Sequence, residues 1–458
     1  MTEPIPPSLT PSAPMKQSSY LLGCALIAAL GGLLFGFDTA VISGTTGWLK
    51  KEFILSDWAL GFTVASALIG TIIGASVVGK PADTLGRREI LFMLAGFYFI
   101  SGIGCALAWN WGSFLAFRFL GGLAVGGASV ASPMYIAEIS PARYRGRLVA
   151  VTQFNIVLGI LLAYLSNYLI AGLHLGANEY RVMFGVMAVP SVIFLLLLFL
   201  IPQSPRWLLA KGRVEEARTV LTRCGTDTGD VEGEIREIQG SLDLQHHLAA
   251  EPFFCRKYRK PILLAVAIAM FNQLSGINAL IYYTADIFRM AGYDPTGALL
   301  QSVIIGLTNL VFTVAALIVI DHFGRRRLML VGSVGYILSL SAAAYLFYTG
   351  TGGKLLLASL VVFIAAHAFG QGAVIWVFIS EIFPNRVRAR GQALGSFTHW
   401  LMAAAISWTF PIIAAASGWK TFAFYAFCCL GQLIWVLIAM PETKGISLER
   451  IQQRLGIV

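Results

Sequence analysis

The sequence predicts an all-α membrane protein: twelve transmembrane helices in two pseudo-symmetric six-helix bundles, with the N- and C-termini cytoplasmic. Three observations carry this reading. They are the composition, a train of long apolar runs, and signatures that recur at a nearly constant offset. Of 458 residues, 57% are hydrophobic and 12% are charged. A soluble protein carries about 25% charged residues, so half of the expected charge is missing. That excludes disorder, a collagen repeat, a disulfide scaffold and an ordinary soluble enzyme.

The elements follow in order. Residues 1–19 are rich in Pro and Ser and read as a disordered cytoplasmic tail. The run that starts at Tyr20 is too long for the core of a signal peptide and has no small-residue cleavage site. Twelve apolar runs cover roughly 20–45, 58–80, 90–108, 113–138, 148–172, 182–202, 261–290, 297–321, 327–349, 355–383, 391–415 and 420–440. Each is long enough to cross a hydrocarbon core of about 30 Å. Backbone groups in lipid must bond internally, so each run is a helix.

Runs one to six make one bundle, 20–202, and runs seven to twelve a second, 261–440. A polar linker, 203–260, joins them. It carries Glu215, Glu216, Arg218, Asp230, Glu232, Glu234, Arg236 and Glu237, and its segments 212–223 and 230–245 read as short amphipathic helices. A tail, 441–458, closes the chain.

The charges orient these helices. With the N-terminus inside, 26 of the 33 Lys and Arg fall on cytoplasmic segments and six on outer loops; Arg118 lies within a run. The positive-inside rule then puts both ends in the cytoplasm. It also accounts for the net charge of +10 without nucleic acid as a partner.

The two halves repeat. Asp83-x-x-Gly86-Arg87-Arg88 returns as Asp321-x-x-Gly324-Arg325-Arg326, 238 residues later. Glu138-Ile-Ser-Pro141-Ala-Arg143-Tyr-Arg145 returns as Glu381-Ile-Phe-Pro384-Asn-Arg386-Val-Arg388, 243 residues later. Pro202-Gln-Ser-Pro-Arg206 is matched by Pro441-Glu-Thr-Lys-Gly445, 239 residues later. Three matches at similar offsets mean an internal duplication, six helices plus six. Parallel repeats with a midplane site between them are a transporter architecture.

No enzyme signature is present: no Walker A, no G-x-S-x-G, no H-E-x-x-H and no histidine–cysteine cluster. No cofactor or metal is expected. Cys24, Cys105, Cys224, Cys255, Cys428 and Cys429 form no C-x-x-C and read as free thiols.

Together with Gly36-Phe37-Asp38, Gln153 to Asn155, Gln273-Leu-Ser-Gly276-Ile-Asn278 and Trp376, the duplicated signatures resemble the sugar porter family of the major facilitator superfamily. The resemblance covers essentially the whole chain after residue 20. It implies alternating-access transport of a monosaccharide or related polyol.

Two full charges lie deep in the predicted spans. Asp38 is 22 residues from Lys16, and Arg118 is 20 residues from Glu138 on a helix running the other way. Those spacings are about 33 Å and about 30 Å of helix, so the two sit at similar height and can pair. A lone ion there costs at least about 2.5–3.5 kcal/mol. Two readings stand: a static pair between helices one and four, or a proton site. Burial and a nearby cation act on a carboxyl proton in opposite senses, and an opening cavity changes that balance. An acid at this position resembles proton-coupled members, whereas animal facilitative glucose transporters have an amide. Some proton-coupled relatives also carry a Glu on helix six; Met187, after Tyr180-Arg181, stands there, so coupling rests on Asp38 and Arg118.

A sugar offers hydroxyls and apolar C–H faces and needs amides with a flat aromatic surface. By resemblance, Gln153, Asn272, Gln273, Asn278, Asn309, Gly372, Trp376 and Trp400 match sugar-contacting positions, and Gln392 does not. Gly276 suggests a locally broken helix seven. Tyr282 and Tyr283 resemble the outer gate. Ile160 replaces a Gln of some xylose-type relatives. His399, before Trp400, resembles fructose-carrying relatives, and reads either as a sugar ligand or as a packing histidine. Run ten has Ala373 in place of a proline that often follows the Gly, although Gly370 and Gly372 can still bend it.

On the cytoplasmic face, Arg87, Arg88, Glu138, Arg145, Arg325, Arg326, Glu381 and Arg388, with Asp83 and Asp321, read either as plain positive-inside charge or, by resemblance, as a latch between the halves. Gln203 stands where the family box has Glu, which leaves the N-terminal latch one carboxylate short.

The function expected is proton-coupled symport of a hexose or pentose. Two alternatives stand beside it: a facilitative uniporter with Asp38 structural, and a non-transporting sugar sensor. The expected partners are a monosaccharide, a proton and the lipid bilayer, and one copy of the chain suffices. Short outer loops without N-x-S/T fit a bacterial inner membrane.

Overall fold

The computed structural model describes residues 19–226, 229–247, 252–384, 386–446 and 448–457. The tail expected over 1–19 lies outside them except for Ser19, and so does the side chain of Asp321. Twelve helices among the described residues are long and apolar enough to cross a membrane. Spans one to six are Ser19–Gly44, Asp57–Val77, Arg87–Ala106, Trp111–Ile139, Ala142–Ala171 and Gly176–Leu200. Spans seven to twelve are Arg256–Tyr282, Pro295–Ile318, Arg325–Thr349, Lys354–Ile382, Arg388–Ala416 and Gly418–Ile438. No strand occurs among the described residues. Span five starts earlier than its apolar run: Pro141 stands just before the helix and the polar first turns, 142–147, are already helical.

Within the first six spans, two pairs pack at backbone distance through glycine. A Cβ on Gly36 would lie 1.9 Å from the carbonyl oxygen of Ile156, and one on Gly159 2.0 Å from that of Leu33, so spans one and five interlock reciprocally. Gly122 and Gly126 of span four meet the Ala67 and Thr71 carbonyls of span two in the same way. Lipid supplies no hydrophobic drive between helices, so close backbone approach of this kind supplies much of the cohesion.

The linker forms Pro205–Ala210, Val214–Cys224 and Val231–His247. The first of these was not expected, and neither was Leu448–Leu455 in the second tail. That last helix buries Ile451 and Leu455 beside the end of span ten.

The face carrying the linker and the opposite, far face differ. On the far face the two halves are sealed. Span two packs on span eleven, where a Cβ on Gly61 would stand 2.0 Å from the Trp408 carbonyl oxygen. Trp58 and Phe62 meet the Trp408 ring at 5.4 and 5.0 Å. Tyr164 of span five donates to the Ile281 carbonyl at 2.6 Å, and the Ala285 amide donates to Ser43 Oγ at 3.2 Å. On the linker face Arg87 pairs with Asp83 and Glu138, and Arg325 with Glu381, each within its own half. The two halves are therefore closed against each other on the far face.

Candidate functional site

The linker-face charges build two copies of one motif. Arg87 grips Glu138 through Nε at 2.9 Å and Nη2 at 2.9 Å, and Ser204 Oγ donates to the same carboxylate at 2.5 Å. In the second copy Arg325 reaches Glu381 at 3.0 Å and Thr443 Oγ1 donates to it at 2.6 Å. Arg88 and Arg326 turn away to carbonyls of spans six and twelve, those of Leu198 and Val436. Arg145 bonds the carbonyls of Ala137 and Ser140 in its own half, and Arg388 Nε has no partner.

The missing carboxylate at Gln203 has moved rather than vanished. In the second copy Glu442 accepts the amides of Arg325 and Arg326 at 3.0 and 3.1 Å, capping span nine with an anion. In the first copy Gln203 Oε1 accepts the Arg88 amide at 3.1 Å, and Gln203 Nε2 donates to Glu89. The counterpart of Glu89 in the duplicated motif is Arg327. An anion at a helix N-terminus contributes about 0.3–1 kcal/mol, but a second carboxylate at position 203 would face Glu89. Gln203→Glu alone is therefore expected to leave the unfolding midpoint unchanged or lower, and Gln203→Glu with Glu89→Gln to raise it. Equal stabilisation by the single variant would contradict this geometry.

Deep in the first six spans, Arg118 Nη1 donates to Asp38 Oδ1 at 2.9 Å, with side-chain exposures of 0% and 2%. Gly121 leaves room for the pair, since a Cβ there would lie 3.2 Å from Asp38 Oδ1. The guanidinium also lies over the Phe184 ring at 5.6 Å, while its Nε and Nη2 have no acceptor. Met187 is buried against Gly102 and adds no polar group.

The amides lie across the second half. Span seven breaks at Gly276, whose φ of +84° is the left-handed region that glycine favours. A Cβ there would also strike the Tyr425 ring at 2.5 Å. The break separates Arg259–Leu274 from Ile277–Tyr282 and brings the amides on either side together. Asn278 Nδ2 donates to Gln273 Oε1 at 2.8 Å, and Gln273 Nε2 to Asn272 Oδ1 at 2.9 Å. Both ring nitrogens of His399 stand 3.2 Å from Gln273 Nε2. His399 contacts the Trp376 and Trp400 rings at 5.2 and 4.8 Å, and Phe35 of span one meets Trp400 at 5.6 Å across the two halves. His399 thus touches the amide and aromatic groups together.

Asn309 is buried and accepts from Thr313 at 3.4 Å within its own helix. Gln153 is half-buried and engages no protein partner among the described residues. Ile160 is buried. Tyr283 donates to the Ser407 carbonyl at 2.8 Å and stacks on Phe410, and Tyr282 is buried where 277–282 packs against span one, the helix that carries Asp38.

Two polar groups escaped the sequence reading. Gln371 accepts from Asn272 at 3.4 Å. His367 receives or gives a hydrogen bond with the Tyr336 hydroxyl at 2.7 Å, and its ring lies 3.2 Å from where a Gly372 Cβ would be. Both sit at the wide π turn Ala368–Gly372 of span ten. Such turns shift the helical phase and mark functional segments. The Gly370-Gln371-Gly372 run was the available signal.

A family model described as sugar (and other) transporter matches residues 24–455. The D-xylose-proton symporter of Escherichia coli (strain K12) is 38% identical, over 95% of this chain and 96% of its own. The arabinose-proton symporter of Bacillus subtilis (strain 168) is 35% identical, over 98% of each. The inward open conformation of the xylose transporter XylE from E. coli superposes with a TM-score of 0.85 at 36% identity, covering 95% of this chain and 100% of that one.

Proposed function

The chain belongs to the sugar (and other) transporter family, and from that premise we propose that it carries a hexose or pentose across a bacterial inner membrane together with a proton, by alternating access and as a single copy. The observation that carries the reading is the Asp38–Arg118 pair, fully buried yet with two guanidinium nitrogens unpartnered. Removing two charges from water costs several kcal/mol per ion, which attraction repays only when geometry and hydrogen bonding are complete. An incomplete pair is poorly suited to being a static brace and well suited to coming apart.

The sequence of events follows. With the far face open to the outside, Asp38 takes a proton and releases Arg118. A sugar then settles on Gln273, Asn278 and Asn272, with Gln153 and Asn309 contributing from spans five and eight, over Trp376, His399 and Trp400 beside Gly372. Tyr282 and Tyr283 close above it and the linker-face latches part. Proton and sugar leave to the cytoplasm, and Asp38 pairs with Arg118 again. The structure, with the ion pair formed and the far face sealed, fits the step after both have left.

The test is uptake of labelled D-xylose, L-arabinose, D-glucose, D-galactose and D-fructose into cells or right-side-out vesicles, with and without a protonophore. Accumulation that collapses with protonophore supports symport and names the sugar. Entry that only equilibrates and ignores the protonophore makes the chain a uniporter, a reading favoured by the apolar Met187. Failure of every sugar to enter overturns transport altogether.

A further inference from the structure

The amides at the break in span seven do not end at Gln371. Gln371 Nε2 donates to Gln432 Oε1 of span twelve at 2.9 Å, and Gln432 Nε2 donates to Ser333 Oγ of span nine at 2.8 Å. Ser333 in turn gives its single hydroxyl proton to the Met329 carbonyl, one turn back on its own helix, at 2.7 Å. Five amides and one hydroxyl therefore form a line through spans seven, ten, twelve and nine. Gln273, Gln371 and Ser333 are completely buried, Gln432 is 1% exposed, and Asn272 and Asn278 are buried.

The line has a direction, and its remote end sets it. A carboxamide has two nearly identical ends, one a double donor and the other an acceptor, and only its partners decide which points where. A hydroxyl has one proton. Ser333 spends its proton on Met329, so it can only accept from Gln432. Gln432 must then show its NH2 to Ser333 and its carbonyl to Gln371. The same constraint passes to Asn272, Gln273 and Asn278, each showing its carbonyl to the next donor. At the open end Asn278 has its NH2 committed inward and its Oδ1 left over.

We propose that Ser333, acting through Gln432 and Gln371, is a positioning residue that fixes the polarity of the sugar-site amides, so that Asn278 Oδ1 faces the sugar and accepts a hydrogen bond from one of its hydroxyls. This rests on the transport reading above. Ser333 need not touch the sugar. Its role is to exclude the flipped arrangement, in which a donor would stand where the sugar also brings a donor. The π turn Ala368–Gly372 makes the line possible by aiming Gln371 between spans seven and twelve.

The experiment uses the full chain in proteoliposomes, with equilibrium binding and uptake of D-xylose and D-glucose and their monodeoxyfluoro analogues. Fluorine keeps the size of a hydroxyl but cannot donate, so the analogue fluorinated at the position facing Asn278 Oδ1 is expected to bind the wild-type chain about tenfold more weakly. Ser333→Ala removes one buried oxygen. It is expected to raise the dissociation constant of the parent sugar several-fold, to leave maximal turnover within about twofold, and to shrink the fluorine penalty, because the freed amides can flip. Gln432→Leu cuts the next link and should give the same profile, with no further change in the double variant, as expected for groups acting in one line. A fluorine profile in Ser333→Ala identical to wild type overturns the proposal, even if affinity falls, because a purely structural defect weakens all analogues alike. Additive effects of Ser333→Ala and Gln432→Leu overturn it too. If the wild-type chain binds neither parent sugar, it is the transport reading, and the proposal with it, that fails.

Discussion

Asp38→Asn is expected to reduce sugar accumulation to simple equilibration while exchange of sugar across the membrane continues. A proton moving down 100 mV releases about 2.3 kcal/mol, enough to hold a sugar about fiftyfold above equilibrium. That whole ratio depends on a group able to take a proton on one side and lose it on the other. Asparagine keeps the shape of Asp38 and an oxygen for Arg118 Nη1, but cannot change charge. The two partners are not equivalent. Loss of the Asp38 charge leaves Arg118, 0% exposed, as a cation that cannot shed its proton, and removing one partner of a buried pair costs about 3–5 kcal/mol. Loss of Arg118 leaves an acid that can neutralise itself by keeping a proton. Arg118→Leu is thus expected to stop coupling with the smaller loss of thermal stability, and Asp38→Asn to stop it with the larger. Counterflow and accumulation in proteoliposomes separate the two activities. Protonophore-sensitive accumulation surviving in Asp38→Asn would end the proton role of this residue and leave it a brace between spans one and four.

What the sequence made legible depended on how local each signal was. The twelve spans follow from run length alone. The Asp38–Arg118 pair follows from counting residues to the cytoplasmic ends of two antiparallel helices, and the two side chains meet at 2.9 Å. The break at Gly276 follows from one residue type. Features that depend on tertiary phase were not legible. Gln371 and Gln432 are 61 residues apart and face each other only because a π turn shifts the register of span ten, which no fixed 3.6-residue period can anticipate. The exchange of carboxylate between Gln203 and Glu89 was hidden for a similar reason. The motif match marks Gln203 as a departure, but only the fold brings Glu89, 114 residues away, to its side. Helix Leu448–Leu455 is too short and too polar on one face to stand out without the surface it covers.

The glycines separate folding from transport most sharply. Gly36 and Gly61 are equally crowded: an added Cβ would lie 1.9 Å from the Ile156 carbonyl oxygen in one case and 2.0 Å from that of Trp408 in the other. Both obstacles are backbone atoms, which cannot swing aside as a side-chain tip can. To reach ordinary contact at 3.4 Å, the helices must part by about 1.4 Å, and overpacking of this kind costs about 1–3 kcal/mol or more. The partners differ. Gly36 meets span five within the same six-helix group, a contact that alternating access leaves intact in every state. Gly61 meets span eleven of the other group, on the far face, a contact that exists only while that face is closed. Gly36→Leu is therefore expected to yield no stably folded protein. Gly61→Leu is expected to insert and fold, because the chain can rest with its far face open, where the clash is absent. A bias of about 3 kcal/mol shifts such an equilibrium about 150-fold, enough to abolish net transport. Sugar binding from the outer side should remain, and a cysteine introduced between the halves on the linker face should lose its reactivity toward a water-soluble maleimide. If Gly61→Leu destroys the protein as Gly36→Leu does, the seal between spans two and eleven is permanent, and the two halves do not rock about the site in the manner proposed.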